Sequence, residues 1–396
     1  MILYQMLRQS ASTFRDKVAL IYNEKRLSYQ EFYTRVNLLQ QNFAQLGIKK
    51  EIKVGLLLHN SDLLCTSLYA LSKNNNITCL MNTQWNESEI ERKIKIANIS
   101  VVVVEDYTLM LLQEKKAQLC QSIHFVTRKQ LEDVLDQKQL EVEDNFTFVR
   151  VDELLRKELI QSSSGTTGFS KMAYRTQKNI LYDADNIVNT LHYDSEDIIY
   201  CSVPMCHGYG LTMGVIAPIL CGATIIISRM FRCNHFLGQY DTLKPTIFLG
   251  IPEMYQELNE NLVGREFNFK YCKWFFCSGS SMNREIGEAF YKVSHRWISQ
   301  VYGMMEVSTI CVNQNPSSEN IESVGQAVDR VQVKVDRFLY NKEPSILVKS
   351  ETISTEYIED GKDTQIPLHD GWFNTKDMGY INEYNEVFVK GRVGEK

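Results

Sequence analysis

The sequence predicts an α/β protein: two α/β-sheet subdomains in a layered arrangement, beside a small β-rich, barrel-like subdomain. Three observations predict it. Short β-branched runs alternate with amphipathic helical segments up to about residue 322, as strands feeding crossover helices do. Gly208 to Ser228 carries no charge, yet Pro218 and Gly222 interrupt it. It therefore reads as a buried helix, a turn and a buried strand, not as a membrane span of about 20 apolar residues. Beyond Ser323 the helical periodicity gives way to short strands joined by polar turns.

Taken in chain order, Val54–Leu58 and Val101–Val104 read as buried parallel strands. Ser61–Leu71 and Glu87–Ile96 between them carry helical periodicity. Ile225–Ile227, Thr246–Gly250, Trp274–Cys277 and Gln300–Tyr302 follow as strands with helical patterns between them. The last group is Gln332–Val335, Ser345–Lys349, Met378–Ile381 and Val387–Lys390, with a strong turn at Asp370-Gly371. The expected subdomain limits are 1–165, 166–322 and 323–390.

Of 396 residues, 44% are hydrophobic and 23% charged, enough for a large core. A net charge of −5 without a basic stripe argues against nucleic acid as a partner. The N-terminus lacks a signal-peptide core, and no transmembrane segment is expected. Ten cysteines occur without a C-x-x-C pair. That usage suits buried thiols in a reducing cytoplasm.

The stretch from Gln161 to Arg175, QSSSGTTGFSKMAYR, concentrates hydroxyls, glycines and one lysine. Gly165 and Gly168 permit close backbone approach to a phosphate chain, and successive N–H groups form an anion nest. Ser163, Ser164, Thr166 and Thr167 add hydroxyl donors, and Lys171 adds charge. Walker A spacing fails, because Ser170 and Met172 occupy positions that need Gly and Ser/Thr. The dinucleotide fingerprint is also absent. On its own the loop fits a serine-rich surface turn equally well.

The loop resembles the phosphate loop of the adenylate-forming (AMP-binding) superfamily, which includes acyl- and aryl-CoA ligases, with Ser170 replacing proline. Further matches follow in order. They are Val203-Pro204-Met205-Cys206-His207, Lys244-Pro245-Thr246 through Gly250-Ile251-Pro252, and Cys277-Ser278-Gly279-Ser280-Ser281. Tyr302-Gly303-Met304-Met305-Glu306, Trp372-Phe373-Asn374-Thr375-Lys376-Asp377 and Gly391-Arg392 complete the set.

The resemblance implies a two-step acid–thiol ligase: a carboxylate attacks the α-phosphate of ATP, and a coenzyme A or pantetheine thiol then takes the acyl group. It implies phosphate binding by Ser163–Lys171 and Mg²⁺ near Thr166 and Glu306. Adenine would lie against Tyr302 and the Ser278–Gly279–Ser280 backbone, and ribose against Asp377, with Arg392 nearby; Gly303, Met304 and Met305 are expected to contact the nucleotide. Thr166, Lys171, His207 and Glu306 are the expected catalytic set. Met205, His207, Tyr209 and Met254 are the expected acid pocket. Nothing acidic occurs from Val203 to Thr212 to pair with an α-ammonium, so a fatty or aryl acid is favoured. Met305 replaces a hydroxyl that contacts the α-phosphate, and Lys376 replaces a glycine. Residues 1–390 correspond to the superfamily's large N-terminal domain and 391–396 to the start of a hinge. A smaller C-terminal domain carrying a lysine is expected to be absent, leaving this chain impaired. A carrier protein is a possible acyl acceptor. The alternatives are an amino-acid adenylation domain and a catalytically weak nucleotide-binding scaffold.

Overall fold

The computed structural model describes residues 1–136, 151–163, 171–264, 267–336, 344–359 and 361–393. Among these, the strands form three sheets of nine, eight and five strands. The nine-stranded sheet has a parallel centre of Trp274–Cys277, Ile247–Gly250, Ile198–Cys201 and Thr224–Ile227. The eight-stranded sheet is built around Ile77–Leu80, Lys53–Leu57 and Val101–Val104, also parallel. These runs are mainly apolar because both faces are covered. The small sheet is antiparallel and centred on Ser345–Lys349 and Trp372–Ile381.

Helix ends follow the local chemistry. Ser28 and Glu31 form a capping box on helix Tyr29–Gln41, and Thr176 and Asn179 form another on helix Gln177–Leu191. Helix Asp62–Lys73 is buried along almost its whole length, since it packs between layers. The uncharged stretch folds as expected: helical turns from Gly208, a π segment at Thr212–Ile216, helix Ala217–Cys221, then strand Thr224–Ile227. Gly222 ends the helix at φ +83°, where a Cβ would lie 2.1 Å from the Phe14 ring. The π turn has no sequence signal of its own.

Sheet membership among the described residues crosses positions 165 and 322. Hairpin Val18–Ser28 extends the nine-stranded sheet, while Met172–Thr176 and hairpin Glu356–Gln365 extend the eight-stranded one. Apolar edges recruit distant strands, a non-local effect invisible to periodicity. The strand read as Met378–Ile381 in fact runs from Trp372 to Ile381. Its pairing with Ser345–Lys349 shifts register at Thr375–Asp377, and this irregularity disguised its first half.

Candidate active site

Strand Lys157–Ser162 delivers the hydroxyl-rich loop at its C-terminal end. Ser164, Gly165, Thr166, Thr167 and Gly168 lie outside the described residues. The neck of the loop is defined. Ser163 N–H donates to the Lys171 carbonyl at 3.0 Å, and Lys171 N–H donates to Ser163 Oγ at 3.0 Å. Strand Met172–Thr176 then pairs with Glu356–Glu359, setting Tyr357 opposite Ala173. This register brings Lys171 Nζ to 4.5 Å from the centre of the Tyr357 ring.

Hairpin Ser299–Met304/Ser308–Val312 presents the next group. Gly303 is required there, because a Cβ would sit 2.3 Å from the Ser308 carbonyl oxygen. Ser308 itself holds φ +73°. Met304 and Met305 are half-buried against the main core. Glu306 is only 8% exposed. Its Oε1 accepts from the Tyr357 hydroxyl at 2.8 Å, and its carbonyl accepts from Ser354 N–H at 2.7 Å. Among the described residues no cation pairs with this carboxylate. A buried carboxylate without a counter-charge is costly in water-poor surroundings, and it fits a hard divalent cation. Among the described residues no cluster of three acidic, histidine or cysteine ligands occurs.

A third group lies where strand Trp372–Ile381 meets Val387–Arg392. Tyr302 donates its hydroxyl to Asp377 Oδ2 at 2.6 Å, and Arg392 Nε lies 3.7 Å from Asp377 Oδ1. Burial, then the Asp377 charge, raises the Tyr302 hydroxyl well above its ordinary value, so it remains a donor. Asp377 faces Arg392 across the ladder. It is aimed by the irregularity at Thr375–Asp377, where Thr375 Oγ1 donates to the Ile346 carbonyl at 2.9 Å and accepts from Asp377 N–H at 3.0 Å. Lys376 at the apex has φ +63°, which explains why the resembled motif carries glycine there. Ser278 follows strand Trp274–Cys277, beside strand Ser299–Met304, and donates its N–H to the Gly250 carbonyl at 3.4 Å. Gly279 and Ser280 are exposed.

His207 caps the helical turn at Gly208, and its Nε2 lies 3.4 Å from Asn82 Nδ2. Burial holds the imidazole below its ordinary value. A Cβ on Gly208 would lie 3.6 Å from Ser308 Oγ and 3.7 Å from Gln161 Nε2, so the His207 turn touches both the loop strand and the Glu306 hairpin. Of the expected acid pocket, Met205 is 0% exposed and belongs to the main core. Its N–H donates to Asn60 Oδ1 at 2.9 Å, which fixes it inward. Cys206 instead faces a cleft of about 570 Å³, together with Asn82, His59, Arg229, Arg232 and His235. The Tyr209 hydroxyl is buried without a hydrogen bond among the described residues. Met254 Sδ accepts from Ser202 Oγ at 3.6 Å.

Sequence reasoning missed Tyr357, Asn82 and a buried Arg175–Asp183 pair. Asn82 had a signal, since it follows the C-terminal end of a parallel strand, where α/β sheets gather ligands. Tyr357 had none, because its role depends on a hairpin joining a distant sheet.

The family described as AMP-binding enzyme matches residues 7–354. A 4-coumarate–CoA ligase of Arabidopsis thaliana is 22% identical over 98% of this chain and 72% of its own length. A long-chain-fatty-acid–CoA ligase of Bacillus subtilis is 23% identical over 98% of this chain and 76% of its own. The crystal structure of ATP-bound MatB from Rhodopseudomonas palustris shares the fold at a TM-score of 0.85 and 18% identity, over 98% of this chain and 78% of that one.

Proposed function

The chain belongs to the AMP-binding enzyme family, and on that premise we propose that it activates a fatty or aryl carboxylic acid as an acyl-adenylate for transfer to a thiol. The observation that carries this reading is the buried Glu306 carboxylate, without a counter-charge among the described residues and bridged by Tyr357 to Lys171. A carboxylate oxygen of the acid forms a bond to the α-phosphorus, and the bond to the pyrophosphate oxygen breaks. Two anions meet in that step, so alignment and charge neutralisation govern its rate. Lys171 holds the β- and γ-phosphates, with the hydroxyls of Ser163 and Thr166. Glu306, with Thr166 assigned on the motif alone, would hold Mg²⁺, which supplies charge neutralisation at the phosphate oxygens.

Asp377 accepts from the ribose hydroxyls, with Tyr302 and Arg392 holding its orientation. The exposed Gly279 and Ser280 backbone and Gly303 face the adenine. His207, kept neutral by burial, donates from the ring nitrogen not turned to Asn82 and orients the acid. The pocket beside it takes an acid lacking an α-ammonium, because Val203–Thr212 offers no carboxylate. The second step exchanges the acyl–phosphate bond for a thioester, releasing AMP. The cleft bearing Arg229 and Arg232 reaches Asn82, the neighbour of His207, and suits an anionic thiol such as coenzyme A. None of the ten cysteines forms a disulfide, which suits a reducing compartment such as the cytoplasm.

The test is calorimetric titration with non-hydrolysable acyl-sulfamoyl adenosines carrying fatty, aryl or aminoacyl groups. Fatty or aryl analogues are expected to bind at least about a hundred-fold tighter than AMP. Tight binding of the aminoacyl analogue alone would replace this reading by amino-acid adenylation.

A further inference from the structure

We propose that Tyr357 is a positioning residue that holds the metal-binding carboxylate and the phosphate-binding lysine at a fixed separation. The inference rests on the nucleotide reading above. Tyr357 is buried, on strand Glu356–Glu359, and touches both groups through different parts of one side chain. Its hydroxyl donates to Glu306 Oε1 at 2.8 Å. Its ring face lies 4.5 Å from Lys171 Nζ. Glu306 lies in the turn of hairpin Ser299–Met304/Ser308–Val312 and Lys171 just before strand Met172–Thr176, and these strands belong to different sheets, so neither sheet's own ladder fixes their distance. Tyr357 is the side chain that spans the gap.

The two contacts do different work. The hydroxyl fixes one carboxylate oxygen, leaving Oε2 for a cation. The ring gives Lys171 a soft seat, since an exposed cation–π contact costs little to leave when phosphate arrives. The strand that carries Tyr357 is itself anchored. Lys157 bonds Glu356, and it bonds Asp363 at 2.8 Å, with its ammonium 3.9 Å from the Tyr174 ring.

Because the hydroxyl and the ring are separable, the roles are too. Tyr357→Phe keeps the ring and removes the bond to Glu306. Tyr357→Leu removes both. The experiment titrates Mn²⁺ into the protein–ATP complex by electron paramagnetic resonance, and titrates ATP with and without chelator by calorimetry. Thermal midpoints serve as the folding control. Tyr357→Phe should raise the Mn²⁺ half-saturation about ten- to a hundred-fold, as expected for losing a bond to a charged group, and leave metal-free ATP binding within about two-fold. Tyr357→Leu should add a loss of about two- to five-fold in metal-free ATP binding. In a Glu306→Gln background, Tyr357→Phe should change Mn²⁺ binding by less than about two-fold, because the carboxylate it orients is gone. Unchanged Mn²⁺ binding in Tyr357→Phe, or an equal loss with and without Glu306, overturns the positioning role while leaving the nucleotide reading intact. Failure of the wild-type protein to bind ATP overturns both.

Discussion

Replacing Asp183 by asparagine should be among the most damaging single changes away from the candidate site. Asp183 and Arg175 are each 3% exposed, with Oδ2 and Nη2 3.4 Å apart. Oδ2 also accepts from Thr212 Oγ1 at 2.7 Å, and Oδ1 from Thr309 N–H at 3.5 Å. Arg175 Nη1 is already buried without a hydrogen bond among the described residues. Removing the one opposing charge strands a desolvated guanidinium. At 3.4 Å and an effective permittivity of about 20, the lost attraction is about 5 kcal/mol. Breaking buried pairs costs roughly 3–5 kcal/mol, in the same range. Urea unfolding should show Asp183→Asn destabilised by about that amount, at an unchanged m-value. The double variant Arg175→Met/Asp183→Leu should return to within about 2 kcal/mol of wild type, since no charge is left buried and the bonds lost are those to Thr212, Ser308, Thr309 and the Asn179 carbonyl. A loss below about 1 kcal/mol in Asp183→Asn would show that water or backbone movement relieves the arginine, and the reasoning would fail. The pair ties the strand after the hydroxyl-rich loop to the π segment beyond His207 and to the hairpin bearing Glu306, so the same variant should also weaken nucleotide binding.

Two further predictions concern the site. Met305→Thr should raise the adenylation rate by up to about a hundred-fold with little change in the KM for ATP, since a hydroxyl there would act on charge that develops only in the transition state; a flat or lower kcat in steady-state pyrophosphate release would assign Met305 another role. Burial lowers the His207 pKa, and burial followed by the Arg229 charge lowers that of His59. The unfolded chain then takes up protons that the folded protein refuses as pH falls through about 6.5, so stability should drop toward pH 5.5. His207→Gln should flatten that slope in urea midpoints measured across the range, and parallel curves for the two proteins would refute the burial argument.

Much of the layered core was legible because it is local. Val101–Val104 and Trp274–Cys277 are apolar runs whose boundaries equal the observed strands. Gly222 marked a helix end by its own chemistry. What escaped was non-local or irregular. Hairpins Val18–Ser28 and Glu356–Gln365 join sheets far from their chain neighbours, and no periodicity encodes which edge they choose. Strand Trp372–Ile381 hides its first half because Lys376 takes a left-handed conformation within it. The motifs supplied Lys171, Glu306, Tyr302 and Asp377 as separate candidates. Arg392 came from the motifs as well, whereas Tyr357 acquires meaning only once its hairpin is in place.

Lys171 is proposed to engage the β- and γ-phosphates of ATP. Calorimetric titration of ATP·Mg²⁺ and of AMP into the wild-type protein and Lys171→Ala tests it most directly. A charge-assisted contact is worth roughly 1.5–3 kcal/mol, so the substitution should weaken ATP about ten- to a hundred-fold. AMP, which lacks both phosphates, should change by less than about two-fold. Equal losses for the two nucleotides, or none for either, would contradict the account.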